Sequence, residues 1–288
     1  MRATYYIFIL FKQLFALVPF RLLYLKSYFL YLLFFYLIPY RKRVIRQNVE
    51  RSFPSLDRVE QAKIIKGFYH NLCDILVEGV KGFTITKKAL KKRYVFVNPE
   101  VMNDLYEKGV EVISVGAHYA NWEWGIMAAP FQLKHKLYAF YTPLTNRYMD
   151  SYMRRNRKKW GTELVSKHEV KRVFDIQDKE PAAYFFGADQ SPSKPKGAHW
   201  MKFLNQDTAC LKGPEFFARR YGLPVVYFDV QRVRNGYYTV TLKVIENDPV
   251  STASGEITEN YMHTLERIIL DKPEDYLWSH RRWKHSRV

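Results

Sequence analysis

Hydrophobic positions divide the chain into a long apolar opening and a series of shorter runs. Residues 5–40 are dominated by Leu, Phe, Tyr and Ile, with charges only at Lys12, Arg21 and Lys26. The longest charge-free run, 27–40, falls short of the roughly 20 residues that a spanning helix needs. Snorkelling of Lys26 or Arg21 to the interface would extend it. The pattern predicts a membrane-embedded or interfacial anchor over residues 1–40, with spanning and in-plane placement both open. A signal peptide fits less well, because the stretch is long and has no clean small-residue cleavage site. The alternative is a buried helical hairpin at the start of a soluble domain.

Beyond residue 41 the periods alternate. Val59, Ala62, Ile65, Phe68, Leu72, Ile75, Leu76 and Val80 keep to one helical side across 57–83, and Asp57 is placed to cap it. Short apolar runs predict strands at 94–97, 112–115, 136–142, 182–188 and 224–230. A further strand at 237–245 follows the hairpin signal Asn235-Gly236. Helical patterns fall at 99–108, 122–129, 146–160, 169–179, 213–221 and 257–270, with Gly161 as the stop of the 146–160 helix. Strands alternating with helices argue for one α/β domain over 41–288, with a central, mostly parallel sheet flanked by helices. The loop 191–197 is rich in Pro, Lys and Gly, and there is no internal repeat.

Charge narrows the partners. The chain carries 46 Lys and Arg against 28 Asp and Glu, a net charge of +18, which favours anionic membranes, acidic proteins or nucleic acid. The bases cluster after the anchor, on 146–160 and at the C-terminus, and none lies in a nucleic-acid-binding motif, so nucleic acid is not expected as a partner. Arg41, Lys42, Arg43, Arg46 and Arg51 directly follow the apolar segment, which places the remainder of the chain on the cytoplasmic side. The only cysteines, Cys73 and Cys210, form neither a disulfide framework nor a zinc-ligand pattern, and no metal site is expected.

The strongest chemical signal is EVISVGAHYANWEWGIMAAP at 111–130. A buried strand leads into a turn holding His118, and Asn121 then caps a helix whose first turn holds Glu123. Five residues along a regular helix leave two side chains roughly 140° apart. The pair can therefore meet only if His118 lies before the helix. A histidine takes a proton near neutral pH, and a carboxylate can orient it and stabilise the imidazolium. The bland reading is a capping Asn, a surface Glu and an unrelated loop His. The helix at 146–160 supplies Arg154 and Arg157, and Asp189-Gln190 ends a strand, where an α/β cleft commonly binds its ligand.

Taken together, six motifs resemble one family. They are NVERSFP at 48–54, His-x4-Glu at 118–123, Arg157 ahead of Gly161, Asp189-Gln190 at a strand end, G-x3-F-A-x3-G-x-P-V at 213–225, and PEDYLWSHRRWK at 273–284. The chain is similar to the lauroyl/myristoyl acyltransferases of lipid A biosynthesis, the late acyltransferases of lipopolysaccharide synthesis. The resemblance implies a glycerolipid-acyltransferase-like fold on the cytoplasmic face of the inner membrane. It implies transfer of a fatty acyl chain from an acyl carrier protein or coenzyme A thioester to a hydroxyl of a lipid A precursor, with no metal or other cofactor. By the same resemblance His118 would be the general base and Glu123 its orienting carboxylate. Arg157 would hold phosphate or the developing oxyanion, with Asp189 supporting that cluster. Gln190, Arg154 and Arg281 would be further substrate-binding groups. Two other readings stand beside it: the same chemistry on a lysophospholipid, aminolipid or other glycolipid, and a non-catalytic basic protein of the membrane surface.

Overall fold

The computed structural model describes residues 2–176 and 180–287. Its central sheet has seven strands: β1 (Tyr94–Phe96), β2 (Val112–Gly116), β3 (Lys136–Tyr141), β4 (Thr162–Ser166), β5 (Ala182–Gly187), β8 (Val225–Arg234) and β9 (Tyr237–Glu246). Their spatial order is β1-β9-β8-β2-β5-β3-β4. Every neighbouring pair is parallel except the β8/β9 hairpin. That hairpin turns at Asn235-Gly236, where Gly236 has φ 68°, as the turn signal predicts. β2 and β5 are central and apolar, and all five residues of β2 are buried. The result is the α/β architecture expected from the alternating pattern.

Helices flank the sheet. The long α4 (Arg58–Gly82) begins with a capping box, Asp57 accepting from the Glu60 amide while the Glu60 side chain returns to the Asp57 amide. α6 (Glu100–Glu107), α7 (Trp122–Ala128), α8 (Arg147–Trp160), α10 (Gly213–Tyr221) and α11 (Glu256–Asp271) stand where the periodicity predicts helices. α9 is shorter than expected, Val170–Phe174: Asp175 and Ile176 have already left the helix, and 177–179 of that expectation lie outside the described residues.

Several elements go beyond the pattern, the edge strand β4 among them. The apolar opening is two helices, α1 (Arg2–Ala16) and α2 (Phe20–Leu32), divided near Pro19, with α2 continuing into a π turn at Leu33–Leu37. The basic segment after it is α3 (Lys42–Ser52), whose buried side is Ile45, Asn48, Val49 and Ser52. α5 (Lys87–Arg93) precedes β1. A separate hairpin, β6 (His199–Phe203) and β7 (Gln206–Cys210), turns through Leu204 and Asn205, both with positive φ.

Candidate active site

The sheet register builds the site. β2 and β5 run side by side, with Gly116 opposite Gly187. Each chain leaves the sheet at the same level, and two residues further on stand His118 and Asp189. Their side chains meet, His118 Nδ1 lying 2.7 Å from Asp189 Oδ1. Gly187 permits this approach, since a Cβ there would lie 3.3 Å from His118 Cε1. The location is the carboxyl edge of the sheet, where strand order reverses and open α/β folds form their crevice.

Asp189 is buried and can only accept as a carboxylate, so His118 Nδ1 carries the hydrogen. The other ring nitrogen, Nε2, then accepts from the Gln190 amide at 3.2 Å. That tautomer leaves a basic nitrogen at the cleft. Burial disfavours the imidazolium, but the charge and hydrogen bond of Asp189, with a smaller contribution from Glu123, outweigh it and raise the His118 pKa above 6.5. Burial pushes Asp189 upward, yet His118 and the Arg282 guanidinium hold it below the usual carboxylate range.

Glu123 does not hydrogen-bond His118. Its carboxylate accepts from Arg157 Nη2 at 2.5 Å, and it reaches the imidazole only as a nearby charge. Arg157 is buried under α7, bonded also to Asn156 and set 5.5 Å from the Phe83 ring centroid. Arg154 and Arg281 are both exposed. Arg281 lies with Arg41, Lys42, Arg43 and Arg46 in an open groove on α3, apart from the histidine. Its neighbour Arg282 is the buried one, donating to the Ala209 carbonyl at 2.8 Å and adding positive charge near Asp189.

The C-terminal motif clamps the histidine turn. The Leu277 amide donates to the His118 carbonyl, the Ala120 amide to the Asp275 carbonyl, and the Tyr119 hydroxyl to the Lys272 carbonyl. Ala120 holds φ 47°, a left-handed conformation that costs a non-glycine residue about 1–3 kcal/mol and persists only when its surroundings impose it. Asn48 of α3 in turn donates to the carbonyls of Trp278 and His280 at 2.8 and 2.9 Å. His280, driven down to about 4 by burial with help from the charges of His118, Arg282 and Lys284, is neutral and accepts from the Ser191 amide. It thereby fixes the loop that follows Gln190.

His118, Glu123 and Gln190 line a cleft of about 790 Å3, within the size range of small-molecule sites. Its walls include Phe140, Leu164, Phe185, Phe186 and Phe217, and the exposed Lys167 and Lys171 stand on its rim. A basic nitrogen in the wall of a largely apolar cleft can take a proton from a hydroxyl while an alkyl chain lies along the phenylalanines.

Fold and cleft together place a histidine–carboxylate pair against apolar walls at the carboxyl edge of an α/β sheet. Comparison with known proteins identifies the class. The chain belongs to the bacterial lipid A biosynthesis acyltransferase family, whose pattern matches residues 1–285, and it is an O-acyltransferase. It is similar to the lipid A biosynthesis palmitoleoyltransferase of Escherichia coli K12, 23% identical over 247 residues, covering 85% of this chain and 79% of the relative. It is equally similar to the lipid A biosynthesis lauroyltransferase of the same organism, 23% identical over 249 residues with the same coverage. A lipid A biosynthesis acyltransferase of Shigella flexneri matches at 23% over 247 residues.

Two features of the site escape the sequence reading. Asp189 stands at a strand end in the pattern, but its pairing with His118 depends on β5 lying beside β2, which no local signal gives. Arg282 and Arg281 are adjacent in HRRW, and only the tertiary packing distinguishes which of them turns inward.

Proposed function

We propose that this enzyme transfers a fatty acyl chain from a thioester, carried by acyl carrier protein or coenzyme A, to a hydroxyl of a lipid A precursor, with His118 as general base. His118 Nε2 takes the hydroxyl proton as the oxygen attacks the thioester carbonyl. The C–O bond forms, the carbonyl becomes an oxyanion, and on collapse the C–S bond breaks. The thiolate leaves with the proton that His118 returns, so the histidine ends as it began. No acyl-enzyme, metal or other cofactor enters this scheme.

The 2.7 Å bond to Asp189 carries the reading, because it fixes the tautomer that leaves Nε2 basic and stabilises the imidazolium formed. In this assignment Asp189 takes the orienting role that the family resemblance suggests for Glu123. Glu123 holds Arg157, whose guanidinium, with that of Arg154 on the same helix, supplies positive charge for a phosphate or the oxyanion. Gln190 helps place the imidazole, and the Phe-lined walls take the acyl chain. Residues 1–40 hold the enzyme on the cytoplasmic face of the inner membrane, and the net charge of +18 suits both anionic lipid and an acidic carrier protein.

The test is release of free thiol by the detergent-solubilised enzyme from an acyl thioester, dependent on a lipid A precursor. General-base loss predicts a fall of roughly 10²- to 10⁴-fold for His118→Ala. Turnover by that variant within a few-fold of wild type would overturn the assignment.

A further inference from the structure

We infer that the α1–α2 hairpin does not cross the bilayer but lies flat in a single leaflet, so that the chain's N-terminal end and its catalytic domain stay on the same side. This rests on the membrane placement proposed above and not on the transfer chemistry. Length alone leaves the question open. The segment Phe20–Leu37 spans 18 residues with a mean hydropathy of 1.3, and at 1.5 Å per residue it approaches the hydrocarbon thickness of about 30 Å.

The partner of α2 decides. α2 runs antiparallel to α4 in a continuous register. The Tyr31 ring stacks 3.6 Å from His70, the Ser27 hydroxyl donates to Asp74 at 2.5 Å, and the Tyr24 hydroxyl donates to Glu78 at 2.7 Å. Beyond them Lys81 donates to the carbonyls of Ala16 and Val18 at the hairpin turn, 2.8 Å each. Spacings of four and three on both helices keep all these contacts on one face. α4 in turn belongs to the middle of the catalytic domain. Asp74 also binds Arg232, and Glu78 also accepts from Asn121 and Tyr238.

A spanning α2 would therefore have two options. It could carry α4 with it, placing Asp74, Glu78 and Lys81 at hydrocarbon depth, where charges are strongly disfavoured. Or it could leave α4, stripping buried carboxylates of their hydroxyl partners and uncovering Leu23 and Tyr31. A hairpin lying flat meets neither penalty.

The outward side suits a leaflet. Ile7, Leu10 and Leu14 of α1 and Leu22, Leu25 and Phe29 of α2 are each more than half exposed. Residues 1–49 hold eight Lys and Arg and no Asp or Glu, a charge pattern complementary to anionic headgroups along the hairpin. α1 also lies beside the site: Phe8 packs on Phe83, which lies against Arg157. Through Phe83, α1 thus adjoins the Arg157–Glu123 pair, whose Glu123 lines the cleft, so a lipid acceptor can be met without leaving the membrane.

The experiment is cysteine labelling of the full chain in cells, with a membrane-impermeant maleimide, since Cys73 and Cys210 are buried. Probes are Thr4→Cys in α1, Leu17→Cys at the hairpin turn, and Lys108→Cys as the domain reference. The inference expects Thr4→Cys and Lys108→Cys to label together in inside-out vesicles, with at least tenfold less labelling in intact spheroplasts. Labelling of Thr4→Cys or Leu17→Cys in intact spheroplasts would overturn it, as would recovery of the full chain in the soluble fraction. If a cysteine variant fails to accumulate, protease accessibility of an N-terminal tag gives the same reading. Labelling needs no turnover, so failure of the transfer assignment would remain separately visible.

Discussion

Asp189→Asn isolates the role of the carboxylate behind the histidine. Asn has nearly the same volume, and the site is buried, so the substitution removes charge without opening a cavity. Two effects follow. With its amide group toward Nδ1, the substituted side chain would donate rather than accept, moving the ring hydrogen to Nε2 and removing the basic lone pair from that nitrogen. In a histidine–aspartate pair this change of tautomer costs up to about 10⁴-fold, and general-base catalysis as a whole is worth roughly 10²–10⁴-fold. The second effect is on pH. The base works only when neutral, so activity rises as pH passes upward through the His118 pKa. In the wild type that pKa is raised, because Asp189 outweighs burial, and the acid limb lies above pH 6.5. Without Asp189 burial remains and its main opponent is gone, so the limb moves to lower pH. The assay is thiol release measured across pH for both proteins. A plateau lowered by 10²–10⁴-fold with a limb displaced to the acid side is the expected result. A rate within a few-fold of wild type and an unmoved limb would refute the argument.

Glu123→Ala should leave the far-UV circular dichroism unchanged and lower transfer by at least 10²-fold, because Arg157 loses the carboxylate that positions it; near-wild-type turnover would remove Glu123 from the site. Asn48→Ala strips two hydrogen bonds from the carbonyls of Trp278 and His280. At about 1–3 kcal/mol for an unsatisfied buried group it should lower the melting temperature by several degrees, and kcat should fall more than KM changes as the histidine turn loosens. Glu78→Ala breaks a buried network joining α2, Asn121, Tyr238 and Arg232 and should cost about 3–5 kcal/mol in denaturant unfolding.

What could be read from the sequence follows from where each element sits. β2 is wholly buried and β5 beside it is buried over its first half, so both read as largely apolar runs. β4 is an edge strand written TELVS, and β7 is written QDTAC in a hairpin off the main sheet; half-polar strands of five residues give no clear period. α3 has only Ile45 and Val49 as buried apolar residues, so its basic side dominates and its buried Asn48 looks like any other polar residue. His118 stood out because strand, turn and capped helix are local features. Its hydrogen-bonded carboxylate did not, because Asp189 lies 71 residues away and reaches the histidine only through strand order. The nearer Glu123 proved to be the partner of Arg157.

The most direct test of the central claim is mass spectrometry of total lipids, lipid A included, from Gram-negative cells lacking this protein and complemented with wild type or His118→Ala. The account predicts lipid A short of one acyl chain, restored by wild type and not by His118→Ala. Full acylation of lipid A in the absence of the protein, or restoration by His118→Ala, would contradict it.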